Sequence, residues 1–279
     1  MSDVLRYTAF SDDPAGGNPA GVVLDAAGLS DTEMLATAAE IGYSETAFLV
    51  ARDGEDRSYD VRYFAPEAEV PFCGHATVAS GVALAERLGT GPLVLHTPVG
   101  PVDVDTVDQD GRIWATLTSV DPQVVPADVT LVDDVLGALG WSRDDLDPRY
   151  PLSVANAGVW HLVLVTRTRE RLAQLSYPFD RLRTIMADAG LTTLQLVWPD
   201  HFGTYQSRNP FPVGGVVEDP ATGAAAAAFG AYLAHHGLVP PDASFTIEQG
   251  VDMGRPSLIH VKLSDDSPRV RVSGKAVAL

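Results

Sequence analysis

Two stretches of small residues, one in each half of the chain, restrict the possible folds most. The first runs from Gly74-His75-Ala76-Thr77-Val78-Ala79-Ser80 to Leu88-Gly89; the second is Gly223 followed by Ala224 to His236, stopped at Gly237. Both read as helices of small residues, which are more often closely packed central helices than functional devices. Gly81 and Gly230 would let neighbouring backbone come close. Strand-like runs surround both: 4–10, 22–24, 47–50, 58–64, 93–97, 102–107 and 113–117 in the first half, then 153–154, 160–165, 194–198, 205–211, 246–251, 257–263 and 269–272 in the second. The expected class is α+β, with each half a sheet wrapped around its own central helix.

The halves share an order. Arg62, Phe64, Pro66 and Gly74 stand in one; Arg208, Phe211, Pro212 and Gly223 stand in the other. The gaps differ, with 12 residues from Arg62 to Gly74 and 15 from Arg208 to Gly223, so duplication and chance stay equally open on this pattern. Residues 121–126, with two prolines, read as a linker. The division is a first lobe over 1–119, which the closing strand 267–279 could join, and a second lobe over 120–266.

A net charge of −18 without a basic stripe argues against nucleic acid as a partner, and no apolar run approaches the length of a membrane span. Met1-Ser2-Asp3-Val4-Leu5-Arg6 lacks the basic start and apolar core of a secretory leader. One cysteine permits no internal disulfide, which fits a reducing cytoplasm. Lys262 and Lys275 are the only lysines, which disfavours Schiff-base chemistry.

Three stretches carry candidate chemistry. Ser30-Asp31-Thr32-Glu33 forms a capping box for a helix stopped by Gly42, after which Ser44-Glu45-Thr46 enters the apolar strand 47–50. A carboxylate at that mouth is either solvated or, if desolvated, raised toward the range useful for proton transfer. Cys73, Gly74 and His75 cluster at a helix N-terminus, where unpaired amides and the helix dipole favour an anion and a bare glycine lets it approach. Glu218-Asp219-Pro220-Ala221-Thr222-Gly223 repeats that arrangement. A lone Cys73 is more often a packing residue than a reactive one. Gly17-Asn18-Pro19-Ala20-Gly21 has the wrong spacing for a dinucleotide fingerprint and reads as a tight loop before strand 22–24.

Taken in order, Gly17-Asn18-Pro19-Ala20-Gly21-Val22, Ser44-Glu45-Thr46-Ala47-Phe48, Phe72-Cys73-Gly74-His75-Ala76-Thr77, Glu218-Asp219-Pro220-Ala221-Thr222-Gly223, Glu248-Gln249-Gly250 and Met253-Gly254-Arg255-Pro256 resemble the PhzF-like (phenazine biosynthesis-like) isomerases over nearly the whole chain. The resemblance implies a diaminopimelate epimerase-like fold of two pseudo-symmetric lobes, each a curved mixed β-sheet or barrel around a central helix. It implies an active site between the lobes, a homodimer, and neither metal nor organic cofactor. Glu45 matches the family's general acid/base, and His75 and Asp219 match residues that position the substrate. Ser44, Gly74, Thr222, Gly223 and Ala224 match the pocket lining. The implied reaction moves a proton between carbons of a small carboxylate-bearing metabolite. Family members commonly carry serine after the second Thr-Gly; Ala224 stands there, which puts the family's best-known substrate in doubt. The alternatives are an epimerase or racemase using one thiol and one carboxylate, and a non-catalytic protein that binds small acids. A two-thiol racemase is excluded by the single cysteine.

Overall fold

A computed structural model describes residues 3–200 and 203–279, so the first two residues of the leader reading lie outside it. In chain order the first half holds β1 (Leu5–Ala9), β2 (Asn18–Val23), α1 (Asp31–Ile41), β3 (Glu45–Ala51), β4 (Ser58–Phe64), β5 (Glu69–Val70), α2 (Gly74–Leu88), β6 (Gly91–Thr97), β7 (Gly100–Gln109) and β8 (Arg112–Thr118). The second holds β9 (Gln123–Pro126), α3 (Val129–Leu139), β10 (Ser153–Asn156), β11 (Trp160–Val165), α4 (Arg169–Ala173), α5 (Phe179–Asp188), β12 (Thr193–Pro199), β13 (Thr204–Pro210), β14 (Glu218–Asp219), α6 (Gly223–His235), β15 (Ser244–Gln249), β16 (Ser257–Ser264) and β17 (Ser267–Ala278).

The pairing sequence occurs twice. From β1 to β8 it runs antiparallel, parallel, antiparallel, parallel, antiparallel, antiparallel through β1-β2-β3-β4-β6-β7-β8. The same succession joins β10-β11-β12-β13-β15-β16-β17. The long β17 serves both lobes, because it also pairs with β8 and β1 and so closes the first ring into a barrel. Each barrel surrounds its helix. Nearly all of α2, and α6 from Gly223 to Leu233, is buried in one continuous apolar core, as their lack of a polar face requires. The outer faces are covered separately, by α1 over Phe48 and Phe64 and by α3 and α5 over Leu162, Leu164, Leu194 and Leu196.

Register makes the lobe correspondence residue-specific. Ala20 lies opposite Glu45 as His161 lies opposite Thr193, and Phe48 faces Arg62 as Leu196 faces Arg208. Each arginine grips the glutamate of the short strand leading into its helix. Arg62 binds Glu69 at 2.8 and 2.6 Å, and Arg208 binds Glu218 at 2.9 and 2.5 Å. These forked pairs fix where each helix begins. The unequal gaps noted in the sequence arise wholly in the turn before that strand, where Glu69 pairs with Phe64 and Glu218 with Pro210.

Three local readings are corrected. Asn18–Val23 is strand from its first residue, paired with β1 from Asn18 onward, while Pro19 precedes the β3 ladder, which begins at Ala20. The linker expected over 121–126 contains β9, paired along β10. The closing strand is also far longer than 269–272, since pairing with three neighbours overrides its polar residues.

Candidate active site

The two helix starts meet. A methyl group at Gly74 would stand 2.9 Å from Ala224 N and 2.9 Å from Gly223 Cα, too close for any side chain. The bare face of Gly74 therefore answers first to the opposing helix, a role that the sequence reading had given to a ligand. Neither helix has a side-chain cap at its N-terminus, whose flanking residues are Cys73 and Thr222. Their leading amides stay available to an anion.

Around this junction, Glu45, Gly74, His75, Asp219, Thr222, Gly223 and Ala224 line one cavity of about 30 Å³, together with Phe72, Cys73, Val159, His161, Thr192, Thr193 and Phe211. Seven of the eight expected site residues thus share one enclosure. Ser44 stands behind it, with its hydroxyl 3.4 Å from His75 Nε2.

Glu45 is the first residue of β3 and is 5% exposed. Its Oε2 lies 3.5 Å from His75 Nε2 and has no hydrogen-bond partner. Burial pushes its carboxyl up, against the nearby Ser44 hydroxyl and Cys73 thiol, which pull it down. Asp219 is also pushed up, first by burial and then by the charge of Glu45. Its two oxygens are occupied, however. Asn18 Nδ2 donates to Oδ1 at 2.6 Å and the Thr222 hydroxyl donates to Oδ2 at 2.6 Å. Burial takes the His75 imidazole down to about 3, leaving it neutral. Cys73 Sγ lies 3.3 Å from His75 Nδ1, and burial followed by the charge of Glu45 pushes the thiol up, keeping it protonated. Glu45, Cys73 and His75 are also a set of described residues whose donor atoms, all within 4.8 Å of one another, could share a cation.

Supporting residues went unassigned in the sequence although they lay in quoted motifs. Gln249 Nε2 donates to the Asp219 carbonyl at 2.7 Å and to Thr222 Oγ1 at 2.9 Å, and its Oε1 accepts from Thr222 N at 3.1 Å. Arg255 reaches into the first lobe, donating to the carbonyls of Gly17 at 2.9 Å and Gly16 at 2.6 Å. His161 and Thr193 belong to no motif. Alternation along 160–165 was the available signal, since it turns His161 to the same face as Val163 and Val165.

Comparison with known proteins agrees with this architecture. The family model described as phenazine biosynthesis-like protein, PhzC-PhzF, matches residues 7–279. The chain belongs to the PhzC-PhzF family. It is 32% identical to the uncharacterized isomerase YfhB of Bacillus subtilis, covering 100% of this chain and 96% of that one. It is 34% identical to trans-2,3-dihydro-3-hydroxyanthranilate isomerase of Pseudomonas chlororaphis, over 99% of this chain and 97% of that relative. Among solved structures, a predicted epimerase from Pseudomonas aeruginosa superposes with a TM-score of 0.88 at 28% identity, covering 100% of this chain and 97% of the other. The PhzC-PhzF fold, with its two pseudo-symmetric lobes around central helices, is the one expected from the motifs, and the relatives bearing names are isomerases. No helix among the described residues is long and apolar enough to cross a membrane.

Proposed function

We propose that this PhzC-PhzF protein is a cofactor-independent isomerase that moves a proton between carbons of a small carboxylate-bearing acid, with Glu45 carrying the proton. The observation that carries this reading is the difference between two buried carboxyls. Asp219 has both oxygens engaged, whereas Glu45 keeps Oε2 free beside His75. A group that must take a proton and return it needs an unengaged oxygen; one that positions a substrate does not.

The substrate carboxylate would lie against the uncapped starts of α2 and α6, which also stabilise charge developing toward it as a C–H bond breaks. Ionised Glu45 takes the proton, and its burial-raised affinity favours delivery to the second carbon rather than loss to solvent. Neutral His75 and the fixed Asp219 orient the reacting atoms. The enclosure, about 30 Å³, has room for little more than water, so a ring-sized acid requires the cleft to widen.

A single-thiol epimerase is disfavoured because the Cys73 thiol is held protonated, and Thr222 occupies the matching position in the second lobe. The homodimer expected from the family belongs to the same proposal, and light scattering on the purified protein tests it. The chemical test is exchange of carbon-bound hydrogen with deuterated water. The first candidate is trans-2,3-dihydro-3-hydroxyanthranilate, for which the P. chlororaphis relative is named, followed by other unsaturated cyclic acids. Exchange should occur in the wild type and fall by about 10²–10⁴ in Glu45→Gln. Undiminished exchange in that variant refutes the role of Glu45, and tight binding without exchange or product favours a binding protein.

A further inference from the structure

The second barrel carries buried polarity that its twin lacks. Ala20, Ala47, Val61 and Tyr63 of the first lobe correspond in register to His161, Gln195, Ser207 and Asn209 of the second. The first lobe closes the same strands around its helix with side chains that are mostly apolar, so the fold itself does not require the polar set.

These groups are also incompletely paired. His161 is fully buried, its Nδ1 lies 2.8 Å from Thr193 Oγ1, and its Nε2 has no partner. Asn209 Nδ2 donates to Gln195 Oε1 at 2.7 Å and to Thr193 Oγ1 at 3.2 Å, while Asn209 Oδ1, Gln195 Nε2 and Ser207 Oγ are unpaired. Unpaired buried polar atoms are costly, and a cluster absent from the matching lobe calls for a reason outside folding. Its position supplies one, because His161 and Thr193 line the cavity that also contains Glu45, and Thr193 occupies the register position of Glu45 itself.

We propose that the His161–Thr193 edge, backed by Gln195 and Asn209, is a specificity subsite that selects a hydroxyl substituent on the substrate. The proposal rests on the reading of the cleft as an acid-binding site. The subsite has no charge to offer a carboxylate, since burial takes His161 down to about 3 and the other members are neutral. The carboxylate belongs at the helix starts. A hydroxyl both donates and accepts, so it pairs with Nε2 in either imidazole tautomer. Low proton affinity also removes His161 as a second base, and its role is recognition.

The test uses benzoate and the three monohydroxybenzoates as probes, with affinities measured calorimetrically on the full chain for wild type, His161→Leu and His161→Gln. Thermal melts verify that each variant is folded. In the wild type, one hydroxybenzoate should bind about tenfold more tightly than benzoate. His161→Leu should abolish that preference, and His161→Gln, which keeps a polar end, should restore part of it. If benzoate binds but no hydroxybenzoate is preferred, or the preference survives in His161→Leu, the subsite is overturned while the acid-binding cleft stands. If no probe binds the wild type, the acid-binding reading falls, and the subsite with it.

Discussion

Glu45→Gln should stabilise the free protein at pH 8 while removing its exchange activity. The side chain is 5% exposed, its Oε2 is unpaired, and burial raises its carboxyl above the ordinary carboxylate range. A group whose folded pKa is raised contributes stability that is present below its unfolded pKa and is lost as pH rises through the folded value. At pH 8 the wild type therefore bears the cost of an ionisable group held where its charge is poorly solvated. Glutamine keeps nearly the same shape and carries no charge, so it bears only the smaller cost of a neutral buried amide. Leaving a buried polar group without partners costs about 1–3 kcal/mol, and more when it is charged. The variant should gain on the order of 1–3 kcal/mol, which at about 2–4 °C per kcal/mol for a chain of this size is roughly 2–12 °C in Tm. Near pH 4, below the ordinary glutamate value, the carboxyl is mostly protonated in both states and the gain should shrink. Calorimetry of both proteins across pH 4–8 reads this directly. A difference in Tm that is absent at pH 8, or constant across the series, would refute the inference that Glu45 is held against its own ionisation.

The remaining expectations concern how the site is held and what it excludes. Gly74→Ala should cost about 1–3 kcal/mol or more by forcing a methyl group against the Gly223–Ala224 backbone, and Gly223→Ala less, because its nearest neighbour is the Phe10 ring at 3.1 Å; paired melts compare them. Gln249→Ala removes three hydrogen bonds that hold the Asp219–Thr222 turn, so its exchange rate should fall at saturating substrate and its Tm should drop. In the native protein Cys73 should resist iodoacetamide across pH 7–8 and react only on unfolding, as mass spectrometry would show; rapid native labelling would reopen the thiol mechanism. Exchange should survive chelators, whereas added zinc should inhibit by drawing together Glu45, Cys73 and His75; loss on chelation with recovery on zinc would make the cluster a metal site.

The fold was legible where a residue pattern has only one physical solution. Helices rich in Gly, Ala, Ser and Thr were the ones expected to be central, and the aligned Arg62 and Arg208 do mark equivalent positions. Less legible was anything fixed by pairing between distant segments. The strand nature of Asn18–Val23 depends on β1 and β3, and the full length of β17 depends on three partners, so neither shows in local periodicity. The site divided in the same way. Glu45, His75 and Asp219 lay in motifs, but the function of Gln249 emerges only when β15 comes beside the α6 start, and that of Arg255 only when it crosses to Gly16 and Gly17.

Register pairs Glu45 with Thr193, while Asp219 follows the gripped Glu218 at the place where Val70 follows Glu69. The symmetry thus supplies two abutting helix starts, and the departures from symmetry place each carboxyl. The free carboxyl comes from the first lobe and the engaged one from the second, so neither barrel alone holds both. A symmetric pair of bases would suit inversion at one carbon, where the proton leaves one face and returns to the other. One free carboxyl sharing its cavity with a neutral polar edge suits removal and return by the same group, on one face and at different carbons. Deuterium delivered to the product on the face from which the proton left would agree with that geometry; delivery to the opposite face would require a second base, which the His161–Thr193 wall is too weakly basic to provide.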